Sequence, residues 1–83
     1  MDRVAEIRQR LETAFAPELL EIEDQSHLHV GHAGARDGGG HFRVRIRATA
    51  LANMNRVKRQ RAVYAAVGDM MPAEIHALSV VFD

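Results

Sequence analysis

Five histidines stand among the 83 residues, at positions 27, 29, 32, 41 and 76, and cysteine is absent. Neutral imidazole is a common protein ligand for borderline metals. The glycine-bearing segment around His27, His29 and His32 can carry a ring toward a histidine held on a strand. The spacing His-x-His-x-x-His matches no standard zinc module, and solvated histidines of a polar loop look the same. A zinc site from His27, His29 and His32 is therefore the lesser reading. His76 opens an apolar run, where a lone histidine is more often half-buried with its ring hydrogen-bonded than a ligand. With no thiol in the chain, neither a disulfide nor an all-thiolate metal site can form, and any soft ligand must come from another molecule.

Hydrolytic chemistry finds less support. There is no Gly-x-Ser-x-Gly, no phosphate-cradling glycine loop before a helix and no His-Glu-x-x-His. Ser26 and Ser79 stand near histidines and Asp24, but nothing else builds a triad, and no enzymatic activity is expected. Charge is more informative. Residues 1–41 carry 4 arginines against 8 acids, and residues 42–83 carry 7 cations against 3 acids. Those cations, Arg43, Arg45, Arg47, Arg56, Lys58, Arg59 and Arg61, have no acid among them. Such a cluster can meet phosphate or an acidic protein surface. It is also what the wet faces of a strand and a helix commonly look like.

The elements that must position these residues follow from periodicity. Val4, Ile7, Leu11 and Phe15 share one helical face, with Asp2 able to cap the helix and Pro17 ending it. Leu20 and Ile22 alternate with Glu21 and Glu23, predicting a half-buried strand. Phe42, Val44, Ile46 and Ala48 alternate with His41, Arg43, Arg45 and Arg47, predicting a second. A hairpin of the two sets glutamates across from arginines, each pair contributing roughly 0.2 to 1 kcal/mol. Asn55 can cap a helix running from about Arg56 to Met71, with Val63, Val67 and Met70 on one face. Pro72 breaks it, and residues 75 to 82 read as a final strand apolar on both parities. Strict alternation gives His76 the parity of Leu78 and Val80.

This order, helix, strand, strand, helix split near Asn53 to Asn55, strand, predicts an α+β sandwich with helices on one face of a three-stranded sheet. One form of the KH module shares the order, but its Gly-x-x-Gly clamp between helices is missing. Asn53-Met54-Asn55-Arg56 stands at that junction, and Gly31-His32-Ala33-Gly34 falls between the first two strands. A chain of this length predicts a single domain over residues 1–83, with partner binding favoured over a deep private cleft. No apolar run approaches the roughly 20 residues of a membrane span. The acidic start lacks a secretory pattern, so a cytoplasmic location without membrane association is expected.

Taken together, Ile22-x-Asp24-x-Ser26-x-x-His29, Gly31-His32-Ala33-Gly34, His41-Phe42-x-Val44, Arg59-x-Arg61-x-Val63-Tyr64 and Ile75-His76-Ala77-Leu78 resemble BolA-like proteins from about Val4 to Phe82. The resemblance implies an αββααβ fold related to the KH class, with a three-stranded mixed sheet. It also implies partnership with a monothiol glutaredoxin, bridging a [2Fe-2S] cluster in cluster assembly, trafficking or iron sensing; some members are described as DNA-binding transcriptional regulators. Carried over by motif, the metal ligands are His29 and His76, with His32 and His41 as alternates. The partner's cysteine and a glutathione complete the set, and no cofactor is expected on the isolated chain, a monomer or weak homodimer. Imidazole ligation makes such a cluster less anionic and couples its retention to pH. The seven cations from Arg43 to Arg61 are the candidate contact for a protein partner or DNA. Two departures, Gln60 where the family usually has histidine and Leu51-Ala52-Asn53 where it has aromatic-x-Gly, touch the basic region and leave His29 and His76 intact.

Overall fold

The computed structural model describes residues 2–26 and 39–83. Helix α1 spans Arg3–Phe15, strand β1 Leu19–Asp24 and strand β2 Gly40–Arg47; then come a short helix α2 at Thr49–Ala52, helix α3 at Arg56–Val67, a 3-10 turn at Gly68–Met70 and strand β3 at Ile75–Phe82.

Helix α1 starts where the Asp2 side chain accepts the Ala5 amide at 3.1 Å, satisfying one of the otherwise orphaned first-turn donors. It ends at Ala16, whose φ of 44° is left-handed and returns its amide to the Glu12 carbonyl at 2.9 Å. Its apolar stripe sinks Ile7 and Leu11 completely. Asn55 caps α3 in the same manner, accepting the Lys58 amide at 2.9 Å. The predicted long helix tightens into the 3-10 turn after Val67, which still brings Met70 into the core beside Val63 and Val67.

The sheet order is β1-β2-β3. β1 and β2 are antiparallel, with Glu21 opposite Arg45 and Glu23 opposite Arg43. β2 and β3 run parallel, joined through helical structure as a parallel crossover requires. Phe42, Val44 and Ile46 point into the core beneath the helices, while Arg43, Arg45 and Arg47 lie exposed on the open face. Each fully buried aliphatic chain contributes about 1.5 to 3 kcal/mol relative to exposure, so this one-sided core is what holds the strands in register.

β3 departs from simple alternation. Gly40 pairs with Ile75 but His41 pairs with Ala77, leaving His76 as an extra residue in the ladder. The bulge resets the parity: Ile75 and Leu78 are both buried, whereas His76 and Ala77 are both exposed. This explains the apolar residues on both parities. It also corrects the expectations that His76 shares the face of Leu78 and Val80 and that its ring is half-buried.

Candidate histidine site

β-Bulges re-aim a side chain. Here the bulge lifts the His76 ring out to solvent, against that of His41, with centroids 5.2 Å apart and planes tilted by 48°. His41 belongs to the first turn of β2 pairing and is half-buried. Its amide donates to the Ser26 hydroxyl at 3.1 Å and its carbonyl accepts the Gln25 amide at 2.7 Å. The Ser26 amide in turn donates to the Asp24 carboxylate at 2.9 Å. Asp24, Ser26 and His41 thus form one backbone brace where β1 ends and β2 begins.

Gly39 fixes the other side. A Cβ there would lie 2.9 Å from the His76 Cβ and 3.0 Å from the Pro72 carbonyl oxygen, closer than real side chains pack. Next to it the Gly40 amide donates to the Glu74 carbonyl at 3.0 Å. Sequence reasoning gave Gly39 no role, because a run of three glycines in a long loop reads as a flexible connector. Its requirement comes from a strand that is distant in sequence.

Of the predicted ligands, His41 and His76 are brought together. His29 and His32, like His27 and the Gly31 to Gly34 motif, lie outside the described residues. Among the described residues no group of three or more histidine, cysteine, aspartate or glutamate side chains gathers to hold a metal ion. What they hold is two adjacent imidazoles, that of His76 exposed and that of His41 with its Nε2 buried, a donor set of borderline softness that another molecule's ligands would have to complete.

The predicted cationic contact divides in two. Arg43, Arg45 and Arg47 project from the open sheet face, whereas Arg56, Lys58 and Arg61 are exposed on α3, which packs on the other face. Arg45 reaches Glu21 at 3.4 Å and the Asp83 carboxylate at 2.9 Å, and Arg47 reaches Asp83 at 3.2 Å. The hydrogen bonding that Arg45 donates to the Asp83 carboxylate is the leading cause of its raised pKa. Arg59 is half-buried: its guanidinium donates to the Met54 carbonyl at 2.8 Å and the Ala52 carbonyl at 3.0 Å, and it lies over the Phe82 ring. It ties off carbonyls at and just beyond the end of α2, so Arg59 holds the turn between helices. No periodicity announces that task, since its targets are backbone atoms. Asp83, too, was missed as the partner of two arginines.

A three-stranded mixed sheet covered on one face by helices, entered in the order αββααβ, sets the chain in a defined class of small α+β proteins. It belongs to the BolA-like family, whose description, BolA-like protein, matches residues 11–82. Among its relatives, the Sinorhizobium sp. "Uncharacterized protein in cobS 5'region" is 45% identical over 89% of this chain and 82% of its own length. "Protein BOLA1, chloroplastic" of Arabidopsis thaliana is 39% identical over 96% of this chain, which spans only 52% of that relative. The "DNA-binding transcriptional regulator BolA" of Haemophilus influenzae is 31% identical over 89% of this chain and 69% of that protein. The solved "BolA domain of SufE1 from Arabidopsis thaliana" superposes with a TM-score of 0.85 at 36% identity, covering 100% of this chain and 92% of that one. Among the described residues, no helix is long and apolar enough to cross a membrane.

Proposed function

We propose that this protein is a non-catalytic adaptor that binds a monothiol glutaredoxin and lends histidine ligands to a [2Fe-2S] cluster carried between them, in cluster assembly, trafficking or iron sensing. The observation that carries the reading is the pairing of His76, exposed at a bulge, with His41 at a ring separation of 5.2 Å. The extra residue in the ladder turns its side chain away from the core, as bulges that re-aim a side chain do. The donor set fits a shared cluster: imidazoles on this chain, no thiolate, and a His76 exposed to sulfur from the partner and a glutathione. When bound, the cluster supplies a transferable iron–sulfur unit. This chain's residues present the nitrogen donors, and the Gly39 contact and the Ser26 brace fix where they stand. Either His41 or a histidine of the segment between β1 and β2, His29 or His32, completes the pair with His76.

Anaerobic reconstitution with a monothiol glutaredoxin and glutathione tests this by visible absorption and circular dichroism. His76→Ala is expected to alter or abolish the cluster bands. Comparison of His41→Ala, His29→Ala and His32→Ala then identifies the second ligand. Unchanged spectra in all of them would overturn the reading.

A second reading rests on the relative named as a DNA-binding regulator and on the exposed cations of α3: the chain binds DNA through Arg56, Lys58 and Arg61 as a transcriptional regulator. Such binding falls steeply with salt, through release of counterions. Salt-insensitive or undetectable binding to duplex DNA by the isolated chain would discard it.

A further inference from the structure

We propose that the groove between α3 and the outer edge of β3 is a docking site for an extended acidic segment of a partner protein, which adds to β3 as a further strand. In the described sheet β3 is an edge. In a parallel pair, the amide and carbonyl of one residue point to the same side. The Asp83 amide donates inward to the Ile46 carbonyl of β2 at 2.9 Å, whereas the Leu78 carbonyl accepts the Tyr64 hydroxyl from outside at 2.6 Å. Odd-numbered positions therefore serve β2, and Leu78, Val80 and Phe82 turn their backbone groups to the groove. Tyr64 closes the Leu78 end. From Ser79 to Phe82, about 13 Å at roughly 3.3 Å per residue, no described residue pairs with the edge.

Two adjoining hollows of about 450 and 660 Å³ lie along this edge and share Arg56 and Val80 as lining residues. Val80 and Leu78 line it from the strand, and Val57, 58% exposed, stands on the helix side. Arg56 and Arg61 form the rim, and among the described residues no acidic one lines either hollow. An exposed valine beside unpaired strand backbone favours a peptide with alternating apolar side chains, and the uncompensated rim selects acids for the residues between them.

Other occupants fit less well. A second copy pairing β3 to β3 would bring two sets of Arg56 and Arg61 together, a like-charge arrangement that disfavours edge-to-edge association. Single-stranded nucleic acid would meet the arginines but lacks a stacking platform, because the Phe82 ring is covered by Arg59 and the Tyr64 hydroxyl is committed to Leu78. The groove lies toward the far end of β3 from His76, so its occupancy does not depend on the cluster reading.

Fluorescence anisotropy of the full chain with a labelled eight-residue peptide alternating valine and glutamate tests the proposal. Binding is expected to be at least about tenfold tighter than to the valine–lysine counterpart, and to weaken about tenfold in Arg56→Glu/Arg61→Glu. Val80→Pro removes an outward amide without breaking a bond to β2, and is expected to weaken binding to a similar degree. Circular dichroism confirms that each variant is folded; should the proline variant unfold, the surface charge reversal decides alone. Equal affinity for the two peptides, or tighter binding of oligothymidylate than of the acidic peptide, would overturn the proposal. So would a homodimer in sedimentation that dissociates in the charge-reversal variant.

Discussion

At the scale of single residues, arginines two positions apart do unlike work. Arg59 spends its donors on the Met54 and Ala52 carbonyls, while Arg61 is exposed on the same helix. Replacing Arg59 by alanine leaves those carbonyls without their charged donor and is expected to cost about 1 to 3 kcal/mol. Arg61→Ala is expected to stay within about 0.5 kcal/mol of the parent. Urea denaturation of the two variants checks this; equal midpoints would remove the structural role given to Arg59. The difference also bears on any search for a nucleic-acid surface, since loss of binding on changing Arg59 would report a loosened helix junction as readily as a lost phosphate contact.

At the scale of elements, the fit between the segment before β2 and the start of β3 sets the site. Gly39→Ala places a methyl group 2.9 Å from the His76 Cβ, with the Pro72 carbonyl on its other side, so backbone must move. The expected outcome is a loss of about 1 to 3 kcal/mol, typical of overpacking, with amide shift changes concentrated at His76 and Ala77 in a nitrogen–proton correlation spectrum. Most elements could be read beforehand. The spacing of Val4, Ile7, Leu11 and Phe15 and the alternation from His41 to Ala48 each have one period, and the caps at Asp2 and Asn55 are local chemistry. The bulge could not be read so. An inserted residue leaves apolar residues on both sides of the count, which is also how a strand covered on both faces appears. The resemblance pairs His76 with His29 and offers His41 only as an alternate; the contact of His41 with His76 could not be read beforehand, because parallel register between distant strands leaves no local trace.

At the scale of the molecule, two carboxylates fasten helices to the rest of the fold. The Glu18 carboxylate, just before β1, accepts the Thr49 hydroxyl of α2 at 2.7 Å, and this bond is the leading cause of a pKa below its ordinary 4.5. Asp69, in the 3-10 turn, accepts from the Arg10 guanidinium of α1, chiefly through which its pKa falls below 3.8. Both folded values are depressed, so unfolding takes up protons. The stabilisation is complete above the ordinary values and is lost as pH falls through the lower folded ones. Stability followed by urea midpoint is expected to decline on acidification from pH 5. The decline should be shallower in Asp69→Asn and in Thr49→Val, and an identical pH profile in parent and variants would contradict the assignment. Both groups are exposed, so high salt should shrink the difference for the Asp69 pair.

One residue in β3 is surplus to the architecture that carries it. If His76 were excised, Ile75 would be followed by Ala77 and Leu78, and inward and outward positions would succeed one another without interruption to Phe82. The shortened polypeptide is therefore expected to fold with a melting temperature at or above that of the parent while losing whatever the imidazole does. Calorimetry beside a ligand-loading assay would display that separation, and a collapse of folding on excision would mean that the insertion serves the scaffold after all.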